Sequence, residues 1–412
     1  MGRYDFTRRP GFARFRRGPL GPHLDGFVAL LTQQGYCEEN AWAKVRLVAD
    51  LSRWMQQRRV TPRRLAESQV AAFLKARWRR VPRRSGDRAT MGLVLRHLRQ
   101  SNVSPVATPP TPRNDIDQIT REYGDFLLHE RSLLPASVAQ YLSVIRRFLS
   151  HRFRDGRVWL KRLRAADVTE FVLHDTSNRG RRSAQLMASV LRGFLGFLLQ
   201  QGRISANLAA SVPSVAGGRQ SALPRFLEAE QVERLLRGCD RRKKVGKRDY
   251  AMLLLLARLG LRAGEVVQLT LTDIDWRAGE LLIRGKGVRV DRLPLPQDVG
   301  QALVTYLQRG RPCSESRRVF LQSRAPHQAF AGPSSIGRVV RGALARAHID
   351  APHQGAHLLR HSLATTMLRR GASMAQIGQV LRHQLPQTTE IYAKVNWDAL
   401  RALALPWPGD GR

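Results

Sequence analysis

Apolar residues recur at helical spacing along most of this chain. Between residues 116 and 211, Phe126, Tyr141, Val144, Ile145, Phe148 and Leu149 fall at such spacing, and Leu186, Val190, Leu191, Phe194 and Phe197 do so again. That pattern predicts a bundle of four or five short helices, and residues 20–100 read the same way. Two stretches interrupt the periodicity: SNVSPVATPPTPRND at 101–115, rich in proline, and VPSVAGGRQSALPRF at 212–226, with paired glycines between prolines. Read as linkers, they leave segments 20–100, 116–211 and 227–412 behind an N-terminal stretch of residues 1–19. The last segment is mixed. EAEQVERLLRGC and RDYAMLLLLARLG predict helices, and GELLIRGKGVRVDRLPLP alternates as a β-hairpin would. SIGRVVRGALARA, HLLRHSLATTMLRRG and MAQIGQVLRH then return to helix, with glycine and serine signals at their boundaries. The fold class that follows is mainly α, with a small β-sheet in an α+β C-terminal domain.

The two helical segments echo one another. RVTPRRLAESQVAAFL at 59–74 aligns without gaps on RVWLKRLRAADVTEFV at 157–172, placing Leu65 on Leu163, Val70 on Val168 and Phe73 on Phe171. TMGLVLRHLR at 90–99 matches LMASVLRGFL at 186–195, and FVALLTQQG is echoed by FLLHERSLL. Amphipathic helices share patterns by chance, so duplication stands beside coincidence as a reading.

Charge narrows the function. The 412 residues include 70 Lys and Arg against 32 Asp and Glu, a formal charge of +38 spread over the whole chain. Such a field attracts a polyanion through phosphate neutralisation and counterion release, and points to nucleic acid; solubility or arginine-biased composition is the plainer alternative. Residues 1–19 are basic with no apolar core behind them, so they read as a mobile basic arm and not as a secretory signal. Cys37, Cys239 and Cys313 lie far apart without metal or disulfide spacing, which fits a reducing cytosol and a cytoplasmic protein. The longest apolar run, Ala251 to Ala257, falls far below the roughly 20 residues that span a bilayer, so no membrane segment is expected.

Six polar groups then stand out in order: Arg262 in LGLRAGEV, Lys286 in GKG within the hairpin, His357 and Arg360 in HLLRH, His383 in VLRH and Tyr392 in EIYAKV. Taken singly each has a plain reading. Tyr392 is an ordinary helix residue with its hydroxyl at the surface, Arg262 a cap on the preceding helix, and His348 and His353 solvated. As an ordered set, Arg, Lys, His-x-x-Arg, His, Tyr resembles the active-site series of the tyrosine recombinase (phage integrase) family. The likeness covers about 227–400 closely. The segment 116–211 resembles the family's SAM-like core-binding domain, and 20–100 lies outside the minimal pattern as a candidate duplicate of it. The domains read as a basic arm at 1–19, one or two helical SAM-like modules, and a catalytic domain at 227–412.

The resemblance implies a DNA recombinase or integrase in which Tyr392 attacks a phosphodiester and forms a covalent 3′-phosphotyrosine, resealed by a second 5′-hydroxyl without ATP. The chemistry suits the residue types. Two guanidiniums, Arg262 and Arg360, are forked cations that match phosphate and remain charged, so neither cofactor nor metal is called for. His357, three residues before Arg360 on one helix face, is the candidate proton acceptor, and Lys286 the donor to the leaving 5′-oxygen. His383 would support a phosphate oxygen, and nearby guanidinium charge would favour the Tyr392 phenolate. His361 is a packing or hydrogen-bonding neighbour of the site. Glu265 either orients Arg262 through an ion pair or forms a surface salt bridge. Where the family commonly has glycine, Arg382 precedes His383. The implied partner is double-stranded DNA, with a homo-oligomer, a tetramer, on paired sites. Trp397, Leu400, Leu403 and Leu405 in the tail would dock on a neighbouring protomer or on their own domain. Two rival functions share parts of this pattern: a type IB topoisomerase-like relaxing enzyme, and a DNA-binding regulator without catalysis.

Overall fold

The computed structural model describes residues 6, 11–105, 114–177, 179–215, 225–285, 290–351 and 354–395, with residues 393–395 as backbone alone. Lys286, His353, the tail positions Trp397, Leu400, Leu403 and Leu405, and the middles of both linkers lie outside the described residues. The chain divides into two compact units, one of Met1–Ala107 together with Ala222–Arg412, the other Thr108–Ser221.

In the first unit the N-terminal part runs α1 (Phe12–Phe15), α2 (Leu24–Gln33), α3 (Glu38–Gln57), a 3₁₀ turn at Pro62–Arg64, α4 (Glu67–Arg77) and α5 (Gly86–Gln100). These helices close over Phe27, Leu31, Leu51, Met55, Leu65 and Phe73, all buried. The stretch read as a mobile arm is partly built into this core. Phe6 and Phe12 are buried, and with Phe15 they pack on Trp42 at ring separations of 5.3, 6.3 and 5.4 Å. Aromatic burial anchors Phe6 and residues 11–19 while Arg14, Arg16 and Arg17 face water, so a basic composition does not imply mobility for these residues.

The second unit runs α6 (Asp115–His129), α7 (Pro135–Arg152), a 3₁₀ turn at Leu160–Arg162, α8 (Ala165–Thr176) and α9 (Arg181–Gln200). Asn114 starts α6 by accepting the Asp117 N–H at 2.9 Å, and Pro135 occupies the first position of α7, where its missing N–H costs nothing. Phe148, Phe171, Leu191 and Phe194 form the centre. The order of elements from α2 to α5 is that from α6 to α9. Under the alignment of 59–74 on 157–172, the two 3₁₀ turns coincide, α4 and α8 start together, and all three matched pairs are buried, each in its own core.

The C-terminal part of the first unit contains α10 (Ala229–Arg237), α11 (Lys244–Leu259), α12 (Ala263–Gln268), a three-stranded sheet, α13 (Gln297–Arg309), α14 (Ser334–Arg346), α15 (His357–Arg369) and α16 (Met374–Leu381), followed by 3₁₀ turns at Pro386–Thr388 and Glu390–Val395. The run from Ala251 to Leu256 is buried on every side because α11 is the central helix, packed by α13 and α15. The predicted hairpin is β2 (Glu280–Arg284) against β3 (Val290–Pro294), antiparallel with Glu280 opposite Pro294 and Arg284 opposite Val290. A short β1 (Ile274–Asp275) extends it to the order β1-β2-β3. The fold is thus mainly helical with a small sheet, as the pattern of apolar positions predicts. No helix among the described residues is long and apolar enough to cross a membrane.

Candidate active site

The site begins where α11 stops. Gly260 caps that helix in the left-handed region (φ 57, ψ 30), and a Cβ there would meet Leu381 Cδ2 at 2.7 Å, so both conformation and space call for glycine. The reversal delivers Arg262 to the N-cap of α12. Glu265, three residues on, holds Arg262 twice: Oε2 accepts its backbone N–H at 2.7 Å and Oε1 accepts from Nη1 at 2.8 Å. Glu265 is buried, whereas the Arg262 side chain keeps 40% exposure. The ion pair is therefore interior at its acidic end, and the reading of a plain surface salt bridge is set aside.

The second arginine comes from α15. Arg360 is buried, and its guanidinium donates to the backbone oxygens of Gly260 and Leu381. Those carbonyls belong to the ends of α11 and α16, so Arg360 ties three helices at the point where Arg262 emerges. Burial, then the like charges of Arg262 and Arg382, lower its pKa to about 10, which leaves it protonated at neutral pH.

His361 follows Arg360 on α15, and its Nδ1 lies 2.8 Å from the Tyr392 hydroxyl. Tyr392 sits in the 3₁₀ turn Glu390–Val395 with 1% exposure, not at the surface as its local sequence suggests. His357 stands one turn before His361 on the exposed side of α15, with ring centres 6.2 Å apart. The histidine that shares a hydrogen bond with the tyrosine is thus His361; His357, four residues earlier, lies on the same face of α15 but about 6 Å back along its axis. The phenol is also not shifted toward phenolate. Burial pushes the Tyr392 pKa up to about 12, and the opposing pull of Arg360 is the smaller effect.

The end of α16 brings the last members. Arg382 caps the helix and His383 follows, with Nδ1 at 2.7 Å from Thr389 Oγ1 and its ring parallel to that of Tyr392 at 6.5 Å. Burial first, then Arg360 and Arg262, depress the His383 pKa to about 4, so it is neutral at physiological pH. A Thr389 hydroxyl donating to Nδ1 would leave the imidazole proton on Nε2, available to an anion. Sequence reasoning misses Thr389, because a threonine pair before EIYAKV carries no distinctive signal.

Arg262, Arg382 and His383 line one cavity of about 890 Å³, bounded on the sheet side by Gly285 and Asp291. Those two residues flank the segment 286–289 that contains Lys286. Of the six sequence-derived residues, Arg262, Arg360, His383 and Tyr392 converge, His357 borders them through His361, and Lys286 belongs to the neighbouring undescribed segment. Such a cavity, with forked cations and a neutral imidazole in its lining and the Tyr392 phenol buried behind it, is equipped to hold an anionic ester near a hydroxyl nucleophile.

Residues 225–398 match the phage integrase family. A protein of Sinorhizobium fredii provisionally named integrase/recombinase y4rA is 43% identical over 397 residues, covering 96% of each chain. The tyrosine recombinase XerD of Mycobacterium tuberculosis is 31% identical over 304 residues, covering 70% of this chain and 95% of its own. The fold is that of the XerH site-specific recombinase in its post-cleavage complex with a palindromic difH substrate, at a TM-score of 0.54, 20% identity, and coverage of 70% of this chain and 84% of that one. With a relative this similar along nearly its whole length, and with these residues gathered at one cavity, the chain belongs to the tyrosine recombinase (phage integrase) family.

Proposed function

We propose that this chain is a site-specific DNA recombinase, or integrase, that cuts and rejoins strands through a 3′-phosphotyrosine at Tyr392, without metal or ATP. The observation that carries the reading is the Tyr392 hydroxyl held by His361 beside Arg360, at the edge of a cavity lined by Arg262 and His383. In this scheme the Tyr392 oxygen attacks phosphorus as His361 takes its proton, the bond to the 5′-oxygen breaks, and Lys286 protonates that oxygen. Arg262 and Arg360 neutralise the non-bridging oxygens, and His383 and the exposed His357 donate to them. The base role that sequence spacing suggests for His357 passes to His361. A 5′-hydroxyl from another duplex reverses the steps on a new strand, and homo-oligomers, tetramers, assemble on paired sites in the bacterial-type cytosol.

A nicked suicide duplex carrying the natural site is the direct test. The expected product is a covalent adduct that peptide mass mapping places on Tyr392 and that forms in EDTA, with recombinant strands appearing only when two sites are supplied. Relaxation of supercoiled DNA lacking the site, without strand exchange, would instead make the chain a type IB-like relaxing enzyme. Binding without an adduct would make it a regulator.

We also infer that α2–α5 duplicate the fold of α6–α9 and that both modules grip DNA. The α4–α5 connection and the first turn of α5 expose Arg79, Arg80, Arg83, Arg84 and Arg88, and no carboxylate among the described residues forms an ion pair with them. Trp78 stiffens this connection. The guanidiniums of Arg83 and Arg88 lie over its ring at 5.0 and 5.3 Å, and its Nε1 donates to Asp87 at 3.1 Å. The α8–α9 connection exposes Arg179, and the first turn of α9 exposes Arg181 and Arg182, at the matching place. Substitution is a cleaner test than deletion, because Ala325 packs on the core of the N-terminal helices and Gln33 donates to Glu315 at 3.3 Å. Replacing Arg79, Arg80, Arg83 and Arg84 by alanine should shorten the footprint, weaken binding and lower the salt slope by about 0.9 for each phosphate no longer neutralised. Unchanged footprint, affinity and slope would assign this module to protein contacts.

A further inference from the structure

Arg382 occupies a backbone position that favours glycine, at φ 55 and ψ 49 after the last turn of α16. A long side chain there would ordinarily reach into solvent. This one is 7% exposed and turned inward. Its Nη2 donates to Glu265 Oε2 at 2.8 Å, its Nε stands 3.9 Å from Asp291 Oδ2 without a hydrogen bond, and its own carbonyl accepts from Arg262 Nη2 at 3.3 Å. A single residue thus joins α12, which carries Arg262; β3, which borders the segment holding Lys286; and the end of α16, where His383 follows.

The charges give that arrangement a purpose. Glu265 alone would cancel Arg262, since its carboxylate is buried and in direct contact with that guanidinium. Arg382 shares the same carboxylate, so the three groups retain one positive charge, and Arg262 is held from two sides, through Glu265 and through the Arg382 carbonyl. A guanidinium fixed in this way needs less rearrangement to meet a phosphate than one free to rotate.

We propose that Arg382 is a positioning residue, which locks Arg262 through Glu265 and draws the β2–β3 hairpin toward the end of α16, so that both sides of the cavity face one phosphodiester. What is being positioned rests on the proposed function, but the positioning itself can be measured without turnover. Arg382→Gly removes the side chain and suits the backbone, so the fold should persist. In full-length protein labelled with ¹⁵N in its arginines, the Arg262 Nη signals, assigned by their loss in Arg262→Lys, should be resolved by hindered rotation. In Arg382→Gly they should average. Single-turnover cleavage at saturating DNA should fall at least tenfold in this variant, with Kd changed less than threefold. Arg382→Lys provides the charge without the fork that spans Glu265 and Asp291, and should recover only part of the rate.

Arg262 signals that ignore Arg382→Gly would overturn the proposal, as would a saturated rate within twofold of the unmodified protein. A loss confined to Kd would make Arg382 a direct DNA contact, and full recovery by lysine would remove the hairpin from its role. Absence of any Tyr392 adduct in the unmodified protein would defeat the catalytic reading alone, because the Arg262 signals still decide whether Arg382 holds that guanidinium.

Discussion

Tyr392→Phe is expected to reduce covalent DNA attachment to background while leaving binding within about twofold, since the change removes one buried hydroxyl and none of the basic surface. The phenol oxygen is the bond-forming atom in the proposed reaction, and it stands 2.8 Å from His361 Nδ1. Deletion of the nucleophile therefore cannot be offset by the clamp that remains. Folding should survive. The variant gives up one hydrogen bond to His361, worth about 0.5–1.5 kcal/mol, and leaves the ring in its packing against Ile377, Leu381 and Ala364. Quantifying adducts on a nicked substrate together with equilibrium binding decides the matter; persistence of the adduct in Tyr392→Phe would mean that another residue attacks. The shift of the phenol to about 12 adds a constraint on mechanism. Near neutral pH the phenolate is a negligible fraction, so in the proposed reaction attack would be coupled to proton removal by His361 and not drawn from a pool of phenolate. With 1% exposure, Tyr392 must also move outward to meet a phosphate in the cavity.

Much of this site is legible in the sequence because its local parts follow local rules. HLLRHSLATTMLRRG has helical spacing and a glycine stop, so the proximity of His357, Arg360 and His361 can be read directly. The hairpin follows from alternation. α13 goes unpredicted above, although Val299, Ala302, Leu303 and Tyr306 stand at helical spacing and are all buried, so its signal is present. What cannot be read is the tertiary pairing. Glu265 and Arg382 are 117 residues apart, and nothing in either neighbourhood announces that one carboxylate serves two guanidiniums. Likewise the balance of burial against charge at Tyr392 depends on how deeply EIYAKV is seated, a property of the surrounding helices. Arg382 is visible as a departure from the family's glycine, but its inward course depends on the left-handed backbone at the end of α16. Phe6 and Phe12 teach the same lesson at the other end of the chain, where charge draws attention and the aromatics determine the structure.

Lys286→Ala should slow cleavage by ~10²–10⁴-fold, the range in which general acid catalysis contributes when a leaving group needs a proton. The placement behind this expectation is that Gly285 and Asp291, on either side of the segment containing Lys286, line the cavity with Arg262 and His383. A lysine ammonium can give up a proton, while the arginines, whose protons are bound too tightly to transfer, act as fixed charge. A substrate with sulfur in place of the bridging 5′-oxygen separates the two roles, because a thiolate departs without a proton. On that substrate Lys286→Ala should cleave almost as fast as the unmodified protein. Arg262→Ala should remain slow on both, since the non-bridging oxygens it neutralises are unaltered by the sulfur. If Lys286→Ala is impaired equally on oxygen and sulfur substrates, Lys286 is a phosphate or groove contact and the proton comes from elsewhere. His357 would then be the first residue to test by substitution, being exposed at the start of α15 and one helical turn from the histidine that holds Tyr392.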